Sequence, residues 1–234
     1  MEVNNLNKTL EKENIKLNDE QIKKFEKYKE LIEEWNKKID ITNIVGEEIY
    51  TKHFLDSLTI FKTSIIKDNY KILDLGTGGG FPGIPMKIYN DTLEIDLLDS
   101  LKKRLNFLDD VIYQLDLKNV KTMHFRAEDL GKDKKFREKY DVVTSRAVAN
   151  MRTLSEYCLP FVKVGGYFIA MKGPQGKKEL EEAKKAIKIL GGSIKDIIEF
   201  NLEDNERTLI VIEKIKNTPN EYPRGQGKPR KNPL

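Results

Sequence analysis

The run Ile72-Leu73-Asp74-Leu75-Gly76-Thr77-Gly78-Gly79-Gly80-Phe81-Pro82-Gly83 constrains the fold more than any other stretch of this chain. A short apolar strand passes straight into a glycine-rich turn, and a helix is expected to begin near Pro82. Glycines let the backbone turn sharply and let a ligand come close to it. In an open parallel sheet, ligands bind beyond the carboxyl ends of the strands, which is where this turn lies. The segment contains Gly78-x-Gly80-x-x-Gly83, a pattern shared with nicotinamide-dinucleotide sites and weak by itself. Two features separate it from them. The turn begins earlier, at Gly76, and Asp74 puts a carboxylate beside the expected ligand. That acid repels a pyrophosphate and attracts the ammonium and sulfonium of S-adenosylmethionine.

A second acid, Asp99, closes the next strand candidate, where a carboxylate accepts protons from both hydroxyls of a ribose. This role is common to dinucleotide and methyl-donor sites, so Asp99 supports a nucleoside without choosing between them. The following strand ends in Arg126-Ala127-Glu128-Asp129, at the level of an adenine edge; an ordinary loop with a helix cap fits the same residues.

Along the chain, apolar Phe25, Tyr28, Ile32, Trp35 and Ile39 recur at spacings of three and four and predict a long amphipathic helix. A second helical stretch is expected over Gly46 to Ile66, completing a helical N-terminal cap over residues 1–67. From residue 68 to residue 216 short apolar runs alternate with amphipathic ones. Seven strands are expected, at Lys71 to Leu75, Leu93 to Leu98, Val120 to Phe125, Asp141 to Ser145, Gly166 to Lys172, Ser193 to Phe200 and Thr208 to Ile215. Helices are expected at Pro82 to Tyr89, Ser100 to Leu115, Met151 to Val162 and Lys177 to Leu190. The alternation predicts a doubly wound α/β core, a mostly parallel sheet with helices on both faces. Only Glu203 to Arg207 separate the last two strands, too few for a parallel crossover, so they are expected to pair as an antiparallel hairpin.

The remaining 217–234 segment holds four prolines and is not expected to form regular secondary structure by itself. Residues 214 to 234 carry 6 Lys/Arg against 1 Asp/Glu, so this end more than accounts for the +4 of the whole chain. A polyanion such as RNA explains that bias, and so does a solvated tail. No apolar run reaches the roughly 20 residues of a membrane span, and Met1 to Asn5 lack the basic-then-apolar order of a signal peptide. A cytoplasmic protein without membrane association is expected. The single cysteine, Cys158, excludes an internal disulfide and a multi-cysteine zinc site, and no metal is expected. Inside a predicted helix beside Leu159, it reads as a small buried hydrophobe.

Several segments together resemble the bacterial glucose-inhibited division protein B family, whose members are small-subunit rRNA (guanine-N7) methyltransferases. They are Trp35-Asn36 with Ile41-Thr42-Asn43-Ile44, His53-Phe54-Leu55-Asp56-Ser57-Leu58, and Asp74 to Pro85 through the glycine turn. Further on come Arg126-Ala127-Glu128, Ser145-Arg146-Ala147-Val148-Ala149, Met171-Lys172-Gly173 and Tyr222-Pro223-Arg224-Gly225. The likeness runs from about Trp35 to the C-terminus. It implies a Rossmann-like class I methyltransferase fold, S-adenosylmethionine as methyl donor, and a guanine in the 530 loop of 16S ribosomal RNA, free or in the small subunit, as acceptor. By similarity the donor is held by Gly76, Gly78 and Phe81, by Asp99 with Ser100 and Leu101, by Ala127 and Glu128, and by Arg146. A monomer is the expected state.

No general base is expected, because guanine N7 already carries an in-plane lone pair. This agrees with a chain of two histidines and no Ser-His or Cys-His constellation. Arg146, at a strand's carboxyl end, is the one catalytic candidate; a structural ion pair is its alternative. RNA-contact candidates are His53, Lys172, Arg224, Lys228, Arg230 and Lys231. For His53 helix packing, and for Lys172 a solvated strand end, remain open. A small-molecule methyltransferase, a nicotinamide-dependent oxidoreductase and a non-catalytic RNA-binding protein are the competing classes.

Overall fold

The computed structural model describes residues 10, 11, 13, 15–146 and 148–234. Residues 1–9 of the expected cap and Ala147 of the Ser-Arg-Ala-Val-Ala segment lie outside them. Seven strands form one sheet: β1 (Lys71–Leu75), β2 (Glu94–Asp99), β3 (Val120–His124), β4 (Tyr140–Arg146), β5 (Val162–Lys172), β6 (Gly192–Leu202) and β7 (Asn205–Lys214). Their order is β3-β2-β1-β4-β5-β7-β6. Strands β1 to β5 pair in parallel, while β7 runs antiparallel to both β5 and β6. The expected hairpin is therefore present. Strand order reverses between β1 and β4, which opens a crevice at their carboxyl ends.

The first helix, α1 (Asp19–Asn36), starts at a capping box in which Asn18 accepts from the Gln21 amide and Gln21 returns the bond to the Asn18 amide, each at 2.9 Å. Its apolar face, Phe25, Tyr28, Leu31 and Ile32, packs in one cluster with Ile72 and Ile95 of the sheet and Ile84 of the helix Gly83–Tyr89. The cap thus shares the core of the sheet. In place of one regular helix over Gly46 to Ile66, the chain forms a π-helical segment (Tyr50–Leu55), one α turn, α2 (Asp56–Leu58), and a 3-10 segment (Thr59–Thr63) ended by Ser64 at φ 55°. The helix expected to reach Val162 stops at Cys158, where Pro160 has no amide to continue it. The segment 217–234 is folded onto the core and contains a short helix, Lys228–Lys231.

Candidate functional site: the cavity at the strand switch point

A cavity of about 800 Å³ opens at the carboxyl ends of β1, β2 and β4. Its floor is the glycine turn. Gly76 at φ 70° leaves no room for a side chain, since a Cβ there would lie 2.4 Å from Val148 Cγ2. The Gly76 and Thr77 amides both donate to the Leu98 carbonyl, at 2.8 and 3.1 Å, which ties the turn to β2.

Asp74 sits beneath this turn and off the cavity wall. Its Oδ2 accepts from Thr77 Oγ1 at 2.7 Å and from the Gly83 amide at 2.9 Å, so the carboxylate splices the end of β1 to the start of the next helix. Oδ1 is buried without a hydrogen-bond partner. Burial raises this carboxyl to about 6 against those two hydrogen bonds. The sequence-based expectation of a direct ligand contact by Asp74 gives way to a scaffolding position.

Asp99 does line the cavity. Its Oδ1 accepts from the Leu101 amide and its Oδ2 from the Gly78 amide, each at 2.9 Å, and Arg104 stands 3.7 Å away. These donors hold the carboxylate aimed, with lone pairs left for further donors. Glu128 lies 7% exposed at the start of a four-residue helix (Ala127–Leu130), on the same wall as Ser100, Leu101 and Ala127. Leu101 and Phe125 stand half exposed beside it. Two acids with apolar side chains between them suit a ligand that has a diol, an amine and a flat apolar ring. S-adenosylmethionine fits that description, and Gly76, Gly78, Phe81, Asp99, Ser100, Leu101, Ala127, Glu128 and Arg146 all face the cavity.

The opposite wall joins the cap to the core. Arg146, at the end of β4, donates through one terminal nitrogen to Asp56 Oδ2 at 2.7 Å and to the Lys52 carbonyl at 3.2 Å. Its other terminal nitrogen lies 3.0 Å from His53 Nδ1. The guanidinium stands 4.9 Å above the Phe81 ring, and the His53 ring stacks on that same ring at 4.2 Å and 12°. Burial, helped by the Arg146 charge, lowers the His53 imidazole to about 3. His53 is therefore neutral. Asp56 also receives Arg207 Nε of β7 at 2.7 Å, so one buried carboxylate serves two guanidinium groups. For His53 and Arg146 the cavity position and the structural tie are both present. A smaller cavity of about 470 Å³ abuts the first and shares His53 and Arg146 with it.

Sequence reasoning missed Asp56, Arg207 and Thr42 as parts of this wall. The spacing of His53 and Asp56 within one helical stretch was the available signal; Arg207, 151 residues from Asp56, gave none.

The basic candidates divide. Arg230 and Lys231, with Gly227, line the cavity, and Lys228 is exposed off its wall. Arg224 instead clamps buried Glu156, with Nε 2.9 Å from Oε1 and a terminal nitrogen 2.7 Å from Oε2. Lys172 bonds Glu179 at 2.7 Å and the Ala149 carbonyl and is 8% exposed, so the solvated strand end is replaced by a buried tie beside the smaller cavity. Among the described residues no cluster of His, Cys, Asp and Glu has the arrangement of a metal site.

Residues 21–210 match the family described as rRNA small subunit methyltransferase G. The chain belongs to that family. Proteins named ribosomal RNA small subunit methyltransferase G from Clostridium novyi (strain NT) and Acetivibrio thermocellus are 51% and 56% identical to it. The alignments cover 98% and 94% of this chain, and 96% and 91% of those relatives. Among solved structures, TrmN from Thermus thermophilus superposes with a TM-score of 0.55 at 14% identity, over 71% of this chain and 53% of that one. M. jannaschii TYW2 in complex with AdoMet superposes with a TM-score of 0.54 at 16% identity, over 68% and 77%. At such identities these two share the fold alone. The expected class I methyltransferase architecture is thus present in a chain of the rRNA small subunit methyltransferase G family.

Proposed function

We propose that this chain transfers the methyl group of S-adenosylmethionine to N7 of a guanine in small-subunit ribosomal RNA, in the 530 loop as its family resemblance implies. The carrying observation is the single cavity in which the glycine turn and Asp99 form one side, and the His53, Arg146 and Phe81 wall the other, with Arg230 and Lys231 at the tail. Bound there, S-adenosylmethionine supplies an electrophilic methyl carbon on a sulfonium. Asp99 would hold the ribose hydroxyls and Glu128 the adenine side. The guanine N7 lone pair would take the methyl carbon as the bond to sulfur breaks, the sulfur leaving as a neutral thioether and the positive charge passing to the purine. No proton needs removing in that step.

The work of the protein is alignment and a suitable electrostatic wall. A neutral His53 adds no positive charge to this wall beside that of Arg146, whereas an imidazolium would oppose a purine that becomes cationic. In duplex RNA N7 is hidden in a deep, narrow groove, so the target base enters from a loop or is extruded. Arg230 and Lys231 then meet backbone phosphate. We assign a cytoplasmic, monomeric enzyme, in the compartment of its ribosomal RNA substrate; separately, no helix among the described residues is long and apolar enough to cross a membrane.

Calorimetry with S-adenosylmethionine and with NAD, followed by transfer of a labelled methyl group to small-subunit rRNA, tests this reading. Binding of the first ligand alone and label in RNA are expected. Binding of NAD points to an oxidoreductase, and label only in small molecules to the alternative methyltransferase.

A further inference from the structure

The segment Ile41 to Ile44 has no part in the reaction as proposed above, yet Thr42 lines the cavity beside His53. Its backbone is fixed from α1: Asn36 Oδ1 accepts from the Ile41 amide at 2.9 Å and from the Thr42 amide at 3.1 Å, and Asn36 Nδ2 donates to the Thr42 carbonyl at 2.9 Å.

The polarity of the Thr42 hydroxyl follows from its neighbours. Arginine has only donors, so the contact between Arg146 and His53 Nδ1 at 3.0 Å makes Nδ1 the acceptor. The ring proton of a neutral His53 is then on Nε2. That nitrogen lies 2.7 Å from Thr42 Oγ1, so it donates and the hydroxyl accepts. The Ile44 amide donates to the same oxygen at 3.1 Å. A hydroxyl has two lone pairs and one proton; both lone pairs are taken. The proton has no acceptor among the described residues. Thr42 therefore presents a hydrogen-bond donor of fixed sense to whatever occupies that end of the cavity.

We propose that Thr42 is a specificity-determining residue that donates to O6 of the target guanine. The inference rests on the reading of guanine N7 as the methyl acceptor. With N7 committed to the methyl carbon, the neighbouring group on the same base edge is O6, an acceptor in guanine, where adenine has an N6 amino donor. A donor-only hydroxyl pairs with the first and opposes the second. The chain Asp56, Arg146, His53, Thr42 thus turns a buried carboxylate into a guanine reader. Arg146 is the internal competitor, because its guanidinium has five N–H groups and the described contacts use three.

The test compares kcat/KM on an RNA with guanine at the target position and on the same RNA with 2-aminopurine there, which keeps N7 and the 2-amino group and lacks O6. The product nucleoside is identified in each case. The wild type is expected to favour guanine by about tenfold or more, the value of one good hydrogen bond in base discrimination. Thr42→Val is expected to lower that ratio about tenfold, and Thr42→Ser to keep it. Because the ratio is internal to each enzyme, a general loss of activity leaves it unmoved. Absence of 7-methylguanosine from the wild-type reaction overturns the functional reading itself. N7 methylation of guanine and of 2-aminopurine at equal rates overturns the reader without any variant. An unchanged ratio in Thr42→Val shifts O6 recognition to another donor such as Arg146 and overturns the assignment to Thr42.

Discussion

Replacing Arg224 by alanine is expected to destabilise the protein far more than removal of a surface charge. Glu156 has no exposed side-chain area, Arg224 is 23% exposed, and the two meet through a forked pair of contacts at 2.9 and 2.7 Å. The Arg224 amide also donates to Glu156, at 2.8 Å. Truncation leaves a buried carboxylate without its counter-charge, a loss of roughly 3 to 5 kcal/mol. For a chain of this length that is a fall in Tm of about 6 to 20 °C. In the double variant Arg224→Ala with Glu156→Gln no buried charge is stranded, and the amide still accepts from the backbone. The double variant is expected to recover about half the loss, a coupling visible in a double-mutant cycle by urea denaturation. A single variant within 1 kcal/mol of the wild type, or a double variant less stable than the single, refutes the reasoning that a charge pair anchors the C-terminal segment.

Asp99→Ala is expected to weaken S-adenosylmethionine binding tenfold or more by calorimetry, because it removes a pre-aimed, charged acceptor; Asp74→Asn is expected to change donor affinity little, since Asp74 lies off the wall. The Asp74 carboxyl is raised from 3.8 to about 6, so the native state binds the proton more tightly and the wild type loses stability as pH rises through that window. The stability of Asp74→Asn relative to wild type is expected to grow by about 2.5 kcal/mol between pH 4 and 7, measured by denaturation at each pH; no growth places the charge elsewhere. Single-turnover methyl transfer is expected to be flat from about pH 6.5 to 8.5, as His53 is already neutral there; a steep rise with one clear midpoint indicates an overlooked base. Arg230→Ala and Lys231→Ala are expected to keep Tm and to lower the slope of log RNA affinity against log salt by about 0.7 each; unaltered slopes remove them from the RNA contact.

What the sequence made legible is local. The glycine turn, the seven strands and Asp99 are written in neighbouring residues and in period, and the short link between β6 and β7, only Glu203 and Asp204 in the structure, forces the hairpin. Asp74 was legible as an acid at the end of a strand but not as one spent on the turn, because Thr77 and Gly83 become its donors only when the turn closes. The C-terminal segment misleads by composition. Proline, glycine and lysine suggest a solvated tail, yet Pro223 and Pro229 are buried. Its carbonyls find donors in the core: Arg137 reaches those of Thr218 and Tyr222 at 2.6 and 2.7 Å, Arg152 that of Pro233 at 2.6 Å, and Thr153 that of Pro229 at 3.0 Å. A segment without regular secondary structure must have its buried carbonyls satisfied by side chains, and those named lie 76 or more residues away in sequence, where no local pattern shows them. The wall of His53, Arg146, Asp56 and Arg207 was half legible for the same reason, with two members in one helical stretch and two on distant strands.

Methyl transfer to guanine N7 is read from the position and chemistry of the product. Small-subunit rRNA lacking the modification is incubated with the protein and labelled S-adenosylmethionine, then digested to nucleosides for mass spectrometry and mapped by borohydride reduction and aniline cleavage, which cut at 7-methylguanosine. One labelled 7-methylguanosine per RNA is expected, at a single guanine in the 530 loop. Label at a base nitrogen other than N7, on a ribose, or on no RNA at all contradicts it.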